Sequence, residues 1–295
     1  MSNSTTIDAI YLTRNYANSS FYSFEITWFI LCLSLSARRK FLNLGRDYYV
    51  VLLFGSMYWA LAETILYVTK DRNGDMDGLV NQVSIFGITF ASTSDGWGGM
   101  LSAVIRGVGE GACLTLIGLI PADFMIEEGL RRDKPTLMLY ALLLISFNLI
   151  TLLSWKGEKE PGDQSIDSRR DLTRPGSLFF TFTTVSIGLY HYGKSSKFPL
   201  FRARIKFLFL ALLAFGTWTN LLMFFVNVRW VEVGHPDGSL SYASWPLQIF
   251  GLVWDATVEI AFMYIPFLTI PWALGFIGSD EEEAETGEYS LIQEV

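Results

Sequence analysis

Charged side chains recur inside apolar stretches of this chain. Arg106 and Glu110 lie four residues apart in one stretch, so on a helix they share a face and partly neutralise each other. Asp255 and Glu259 have the same spacing in a second stretch, and Glu63 lies in a third. A charge inside a membrane costs several kcal/mol unless it meets a partner or a water-filled cavity. These five residues are therefore candidates for a polar site inside a membrane domain.

Two interpretations of this cluster remain open. Four acids and one arginine carry a formal charge of −3, and crowding of like charge favours protonation of some carboxyls. Such a site suits an inorganic cation, a proton or an amine-bearing ligand arriving from outside. In the competing interpretation the charges form a structural network, in which Arg106 pairs with Asp255 or Glu259 and fixes helix packing.

A catalytic interpretation would require a nucleophile with a base, or a metal with its ligands. The chain has two cysteines and two histidines, and none shows a metal-ligand spacing. Cys113 follows Glu110 by three residues but lies among apolar neighbours, where a thiol is usually inert. His191 lies far from the acids in depth. The sequence therefore leans against an enzyme and predicts no cofactor and no nucleic-acid partner.

The composition of the chain indicates its class. Of 295 residues, 51% are hydrophobic and only 17% are charged, below the quarter that is typical of soluble domains. Seven apolar segments approach the roughly 20 residues that a helix needs to cross a bilayer. They lie near residues 21–35, 48–68, 100–125, 135–153, 177–192, 206–226 and 247–277. The predicted fold is an all-α integral membrane protein, a seven-transmembrane-helix bundle over residues 21–277.

Small residues single out the third segment as the centre of this bundle. Gly107 and Gly111 are four residues apart and Gly109 and Gly118 add further smooth surface. Glycines at such spacing let a neighbouring helix approach closely.

Basic residues predict the orientation. Residues 37–47 carry four of them, 127–134 three and 193–206 five, whereas the alternate connections hold fewer or balance them with acids. By the positive-inside rule, the N-terminal segment 1–20 is extracellular or lumenal and the C-terminus is cytosolic. Two N-glycosylation sequons, at Asn3 and Asn18, lie in that outer segment.

Two outer connections have distinctive patterns. Residues 79–93 are apolar and rich in β-branched residues but short for a crossing, which favours an outer hairpin or lid. Before them, Asn73, Asp75 and Asp77 have the oxygen spacing of a calcium loop, but Ser84 stands where a bidentate glutamate would close it. A solvated acidic turn is the simpler interpretation. Residues 156–174 mix charges and turn residues and are expected to form a flexible surface loop.

The segment 278–295 is an acidic tail that we expect to be disordered and cytosolic. Within it, Tyr289 and Ile292 form a tyrosine-based sorting signal of the kind that clathrin adaptors bind as an extended strand. Tail, sequons and orientation together predict a eukaryotic multi-pass glycoprotein of the plasma membrane or endolysosomal membranes.

Three functional classes follow from these patterns. The first is a receptor, transporter or channel-like protein that binds a cation or a small cationic ligand at Glu63, Arg106, Glu110, Asp255 and Glu259. The second is a non-catalytic accessory or trafficking subunit that packs against partner membrane proteins. The third, and least favoured, is an intramembrane enzyme.

The orientation leads to a first prediction. An epitope placed after Val295 should bind antibody only once cells are permeabilised, and deglycosylation should lower the mass of the protein through Asn3. Staining of the same epitope on intact cells would contradict the seven-span orientation.

Overall fold

The computed structural model describes residues 7–16, 21–37, 46–68, 82–91, 96–126, 133–155, 161 and 168–278. Most of these residues are helical. The helices of this part of the chain are α1 (Phe21–Ala37), α2 (Arg46–Val68), α3 (Gly96–Ile126), α4 (Lys134–Leu153), α5 (Pro175–Lys194), α6 (Pro199–Phe225) and α7 (Trp245–Ala273). Each of the seven apolar segments thus forms a helix, and the helical bundle expected from the sequence is confirmed.

Five of the described helices, α2, α3, α4, α6 and α7, are long and apolar enough to cross a membrane. Helix α1 carries a shorter apolar run, Phe21–Ser34. Much of this apolar surface faces outward. On α4, for example, Leu142, Ile145 and Leu149 are 46%, 62% and 52% exposed. A continuous apolar face of this kind is compatible with a membrane protein.

Helix α3 lies at the centre of the bundle, in contact with α1, α2, α4 and α6. The glycines of α3 permit this close contact with the neighbouring helices. A Cβ atom on Gly107 would lie 2.4 Å from Cα of Ala60, and one on Gly111 would lie 2.6 Å from the carbonyl oxygen of Gly55, both on α2. On another face, Gly118 packs against side chains of α6. The central position expected for this helix is confirmed.

A four-stranded antiparallel sheet adds to the helices at one end of the bundle. Its order is β4 (Ser168–Asp171), β1 (Ala9–Arg14), β5 (Arg229–Gly234) and β6 (Leu240–Tyr242). The strands come from the chain before α1 and from the α4–α5 and α6–α7 connections, which were all expected on the outer side. The all-α prediction is therefore wrong in this respect, and so is the flexible loop expected over residues 156–174, since β4 lies within it.

The alternation of side chains between the two faces of the sheet explains why these strands form. In β5, Val231 and Val233 point to the same face of the sheet as Leu12 of β1, and these side chains make a small core of their own. This face sits on the start of α7. The Gln248 side chain accepts a hydrogen bond from the backbone N–H of Val231 at 2.8 Å and donates one to the backbone C=O of Val231 at 2.7 Å. Gly251 leaves room for the Val231 side chain directly below.

A separate hairpin is formed by β2 (Gln82–Ile85) and β3 (Ile88–Ala91). The backbone N–H of Phe86 in its turn donates a hydrogen bond to Oγ of Ser23, in the first turn of α1, at 2.8 Å. The hairpin expected over residues 79–93 is confirmed for residues 82–91, and it lies at the same end of the bundle as the sheet. We call this the sheet end.

The opposite end of the bundle is held by a buried ionic cluster. Asp123 of α3 accepts two hydrogen bonds from the Arg204 guanidinium of α6, at 2.7 and 2.8 Å, and a third from the Tyr48 hydroxyl of α2 at 2.6 Å. Arg204 also pairs with Asp47 at 2.7 Å. Three helices are thereby joined at this end with every contact charge-assisted.

The close α2–α3 contact leads to the second prediction. Gly107→Ala should lower the free energy of unfolding by about 1–3 kcal/mol, because the new methyl group overlaps the α2 backbone. Gly193→Ala is the matched control, since a Cβ there meets nothing within 4 Å and alanine favours the helix. Thermal unfolding of the purified protein in detergent measures both; equal stability of the two variants would show that the helices do not approach this closely.

Candidate functional site

Three arginines of the sheet reach three acids of the helices. Their shortest nitrogen–oxygen distances are 2.6 Å for Arg14–Glu110, 2.8 Å for Arg170–Glu259 and 2.7 Å for Arg229–Asp255. The strand register explains why the arginines converge: Arg14 is directly opposite Arg229, and Arg170 is opposite Leu12, two residues before Arg14. All three side chains therefore project from the same face of the sheet, the face that covers the bundle.

Each of these carboxylates is held in the same way. One oxygen binds the strand arginine, and the other accepts a neutral N–H from a helix. The neutral donors are Trp59 Nε1 to Glu110 at 3.2 Å, Trp254 Nε1 to Glu259 at 3.0 Å, and Asn220 Nδ2 to Asp255 at 2.7 Å. Both oxygens of each carboxylate thus accept a hydrogen bond, one from the sheet and one from a helix.

The arginines are also fixed by further contacts. Arg170 donates to the hydroxyls of Ser177 and Thr181 on α5, each at 3.2 Å. Arg14 donates to the Tyr22 hydroxyl at 2.7 Å, and its guanidinium carbon lies 5.2 Å from the ring centre of Phe21, within range of a cation–π contact. These contacts limit the freedom of the guanidinium groups and keep them aimed into the bundle.

A π-helical segment positions two of the acids. Within α7, residues Asp255–Phe262 form a π-helix between two α-helical parts, Trp245–Trp254 and Ile265–Ala273. Both Asp255 and Glu259 are buried here, at 3% and 7% exposure. The shared face expected from their spacing is thus kept, although the backbone follows the wider i→i+5 pattern. Short π-helical segments of this kind occur often at functional sites.

A partly enclosed cavity of about 70 Å³ lies beneath the sheet. Its charged lining consists of three guanidiniums and four carboxylates, a formal charge of −1: Arg14, Arg170, Arg229, Glu25, Glu110, Asp255 and Glu259. Aromatic rings complete the wall, including those of Trp59 and Tyr264, whose centres are 5.4 Å apart. The cavity therefore combines a slight excess of negative charge with an aromatic wall.

The structure brings together three of the five residues predicted for the site. Glu110, Asp255 and Glu259 line the cavity, whereas Glu63 is buried on α2 outside the lining. The side chain of Arg106 lies outside the described part of the structure. Asp255 and Glu259 bind Arg229 and Arg170, and the predicted pairing of Arg106 with either acid stays a prediction.

Sequence reasoning missed the three strand arginines and Glu25. For Arg14 and Arg229 a signal existed, because each lies at the end of a short alternating stretch, AIYLTR and RWVEVG. Arg170 lies in the four-residue strand SRRD, which has no apolar alternation. Its position depends on pairing with β1, a contact between residues far apart in the sequence.

Several predicted features lie outside the described residues. They are the sequons at Asn3 and Asn18, the calcium-like loop at Asn73, Asp75 and Asp77, and the sorting signal at Tyr289 and Ile292. Within the described part of the chain, no group of three or more His, Cys, Asp or Glu side chains is arranged to hold a metal ion.

The two residues considered for catalysis are apart from the cavity. His191 contacts Oγ1 of Thr269 at 3.2 Å towards the opposite end of the bundle, and the Cys113 thiol donates to the backbone carbonyl of Glu25 at 3.5 Å. Among the described lining residues there is no serine, cysteine or histidine.

Comparisons of the chain with protein-family models, with curated proteins and with solved structures found no match. Function must therefore be inferred from the site itself.

The paired charges lead to the third prediction. Glu259→Gln should destabilise the protein by about 3–5 kcal/mol, because it leaves the buried Arg170 guanidinium without its counter-charge. Adding Arg170→Met should restore part of the loss, giving a coupling energy of about 0.5–3 kcal/mol in a double-mutant cycle of thermal stability. Strictly additive losses would show that the two side chains do not interact.

Proposed function

We propose that this protein is a multi-pass membrane protein of the receptor, transporter or channel class, which binds a small cation in the cavity beneath its sheet. In this proposal the chain crosses the bilayer seven times, with the sheet end extracellular or lumenal and the tail cytosolic. The observation that carries the proposal is the cavity itself, which has more carboxylates than guanidiniums inside an apolar bundle.

The distribution of apolar and charged residues supports the membrane setting. Five helices have the length and composition of a crossing, and apolar side chains cover the outward face of α4. All the strands belong to segments poor in net positive charge, whereas the basic segment 193–206 lies at the other end of the bundle. This asymmetry matches the positive-inside rule and supports an outer location for the cavity.

Energetic reasoning favours a role beyond packing. Buried ion pairs rarely stabilise a fold more than well-packed apolar side chains of the same volume. Three such pairs, each with a further donor, converge here on one cavity. Charged groups inside a membrane bundle that line a cavity mark sites for ions, protons or ligands. The net negative lining selects a cationic occupant.

The size of the cavity limits that occupant. About 70 Å³ accommodates several waters, since one water requires roughly 10–15 Å³ on the same measure. Drug-sized ligands need cavities of about 300–1,000 Å³. An inorganic monovalent cation with part of its water, or an ammonium-sized group, fits this space. The charged side chains around this space support the binding of a small charged occupant.

The fourth prediction tests cation binding directly. The melting temperature of the purified full-length protein should rise to a plateau with one of Na⁺, K⁺ or NH₄⁺ at constant ionic strength, with N-methyl-D-glucamine as the balancing cation. At a hundredfold excess over Kd, a ligand that binds only the folded state adds about 2.7 kcal/mol of stability. An equal response to all four cations would reflect ionic strength alone and contradict the proposal.

A cavity-filling variant separates binding from packing without touching a charge. Leu114→Phe adds volume at the cavity wall and should abolish the cation-dependent rise in melting temperature. Leu144→Phe is the matched control, because Leu144 is also partly buried against the core but does not line the cavity. If Leu114→Phe keeps the full response, the cation binds elsewhere and the cavity is a packing feature.

A further inference from the structure

A second site lies at the end of the bundle opposite the sheet, where α5 and α7 end. An open groove of about 520 Å³ is lined there by Lys194 and His191 from α5, by Phe198 just before α6, and by Trp272 at the end of α7. The groove mixes one full positive charge, one imidazole and aromatic rings. No acidic side chain occurs among its described lining residues.

This groove continues up the outside of α5. A second, more apolar groove of about 490 Å³ is lined by Phe179, Phe182, Ile187 and neighbouring residues, and it shares Tyr190 and His191 with the first. The lining recurs every three to four residues and therefore follows one face of the helix. Together the two grooves form one channel, open to the surroundings, with an apolar part and a basic end.

The length of the apolar part matches one leaflet of a bilayer. From Phe179 to Tyr190 the helix rises about 16 Å at about 1.5 Å per residue. This is about half of the roughly 30 Å thickness of the hydrocarbon core. An acyl chain lying along α5 from its mouth at Tyr190 would therefore reach the middle of the bilayer.

The basic end of the channel lies where the headgroup of a membrane lipid would be. Residues 193–206 contain five basic residues and no acid, and of these Arg204 is bound internally to Asp123 and Asp47. The Lys194 ammonium lies 5.5 Å from the ring centre of Tyr190, which holds it over the mouth of the apolar part. Anionic lipids are concentrated in the cytosolic leaflet, the side on which the sequence places this end.

We propose that the channel along α5, whose basic end lies against the end of α7, is a binding site for an anionic phospholipid of the surrounding cytosolic leaflet. The lipid phosphate contacts the Lys194 ammonium and the His191 ring, and one acyl chain lies along the face of α5 formed by Phe179, Phe182 and Ile187. Because Nδ1 of His191 contacts the Thr269 hydroxyl, Nε2 is the ring nitrogen left for the headgroup. This site is separate from the cation cavity and does not depend on cation binding there.

The fifth prediction is a lipid preference measured on the full-length protein. The protein is equilibrated in mixed micelles with equal amounts of dioleoylphosphatidylserine and dioleoylphosphatidylcholine, and native mass spectrometry counts the lipids that it retains. We expect at least a fivefold preference for the serine lipid. Equal retention of the two lipids would overturn the proposal.

Matched variants test each part of the site. Lys194→Gln should reduce the preference at least threefold, whereas Lys206→Gln, in the same basic segment but outside the groove, should leave it unchanged. Equal losses would attribute the preference to general surface charge and overturn the site. Ser186→Trp should block the acyl groove, and Leu189→Trp, on an exposed face of α5 outside it, should not.

Two further outcomes exclude other occupants. Soluble glycerophosphate should not displace the lipid; if it does so while Ser186→Trp has no effect, the groove binds free phosphate and the lipid proposal fails. Deleting residues 279–295, which begin directly after Gly278 at the groove, should leave the preference unchanged. If lipid is retained only after this deletion, the acidic tail occupies the groove instead.

Discussion

The pairing of strand arginines with helix acids is the constraint on which the sheet end of this protein depends. Each carboxylate would be costly inside an apolar bundle by itself, and each arginine is held at a buried position by the acid that it meets. The sheet therefore does more than cover the helices. It supplies the arginine partners of Glu110, Asp255 and Glu259.

This arrangement couples two parts of the fold that could otherwise form independently. The sheet must have its observed register, because a slip of one residue would turn the arginines to the other face. Helix α7 must present both of its acids, which its π-helical segment does. Gln248 reinforces the coupling, since its side chain completes the hydrogen bonds of Val231 and ties β5 to the start of that helix. Sheet, helix and cavity are thus one structural unit.

The two ends of the bundle use buried charge differently. At the opposite end, Asp123 receives three hydrogen bonds from Arg204 and Tyr48 and joins three helices. At the sheet end, the charges surround open space of about 70 Å³ and carry one negative charge in excess. The first arrangement has two acids for one arginine and binds helices to one another. The second borders open space, and the cation binding that we propose rests on that space and on the formal charge around it.

The sequence by itself determined the helices, their apolar faces and the central position of α3, because these follow from local composition, length and glycine spacing. It also identified Glu110, Asp255 and Glu259, because acidic residues within apolar stretches can be recognised without knowledge of the tertiary structure. Only the tertiary structure decided their partners. The arginines that bind them lie far away in the sequence, in short strands: Arg14, Arg170 and Arg229. The register of a strand is set by the neighbouring strands with which it pairs, rather than by its own residues alone. The balance of charge in the cavity, and hence the function that we propose for it, depends on that long-range pairing.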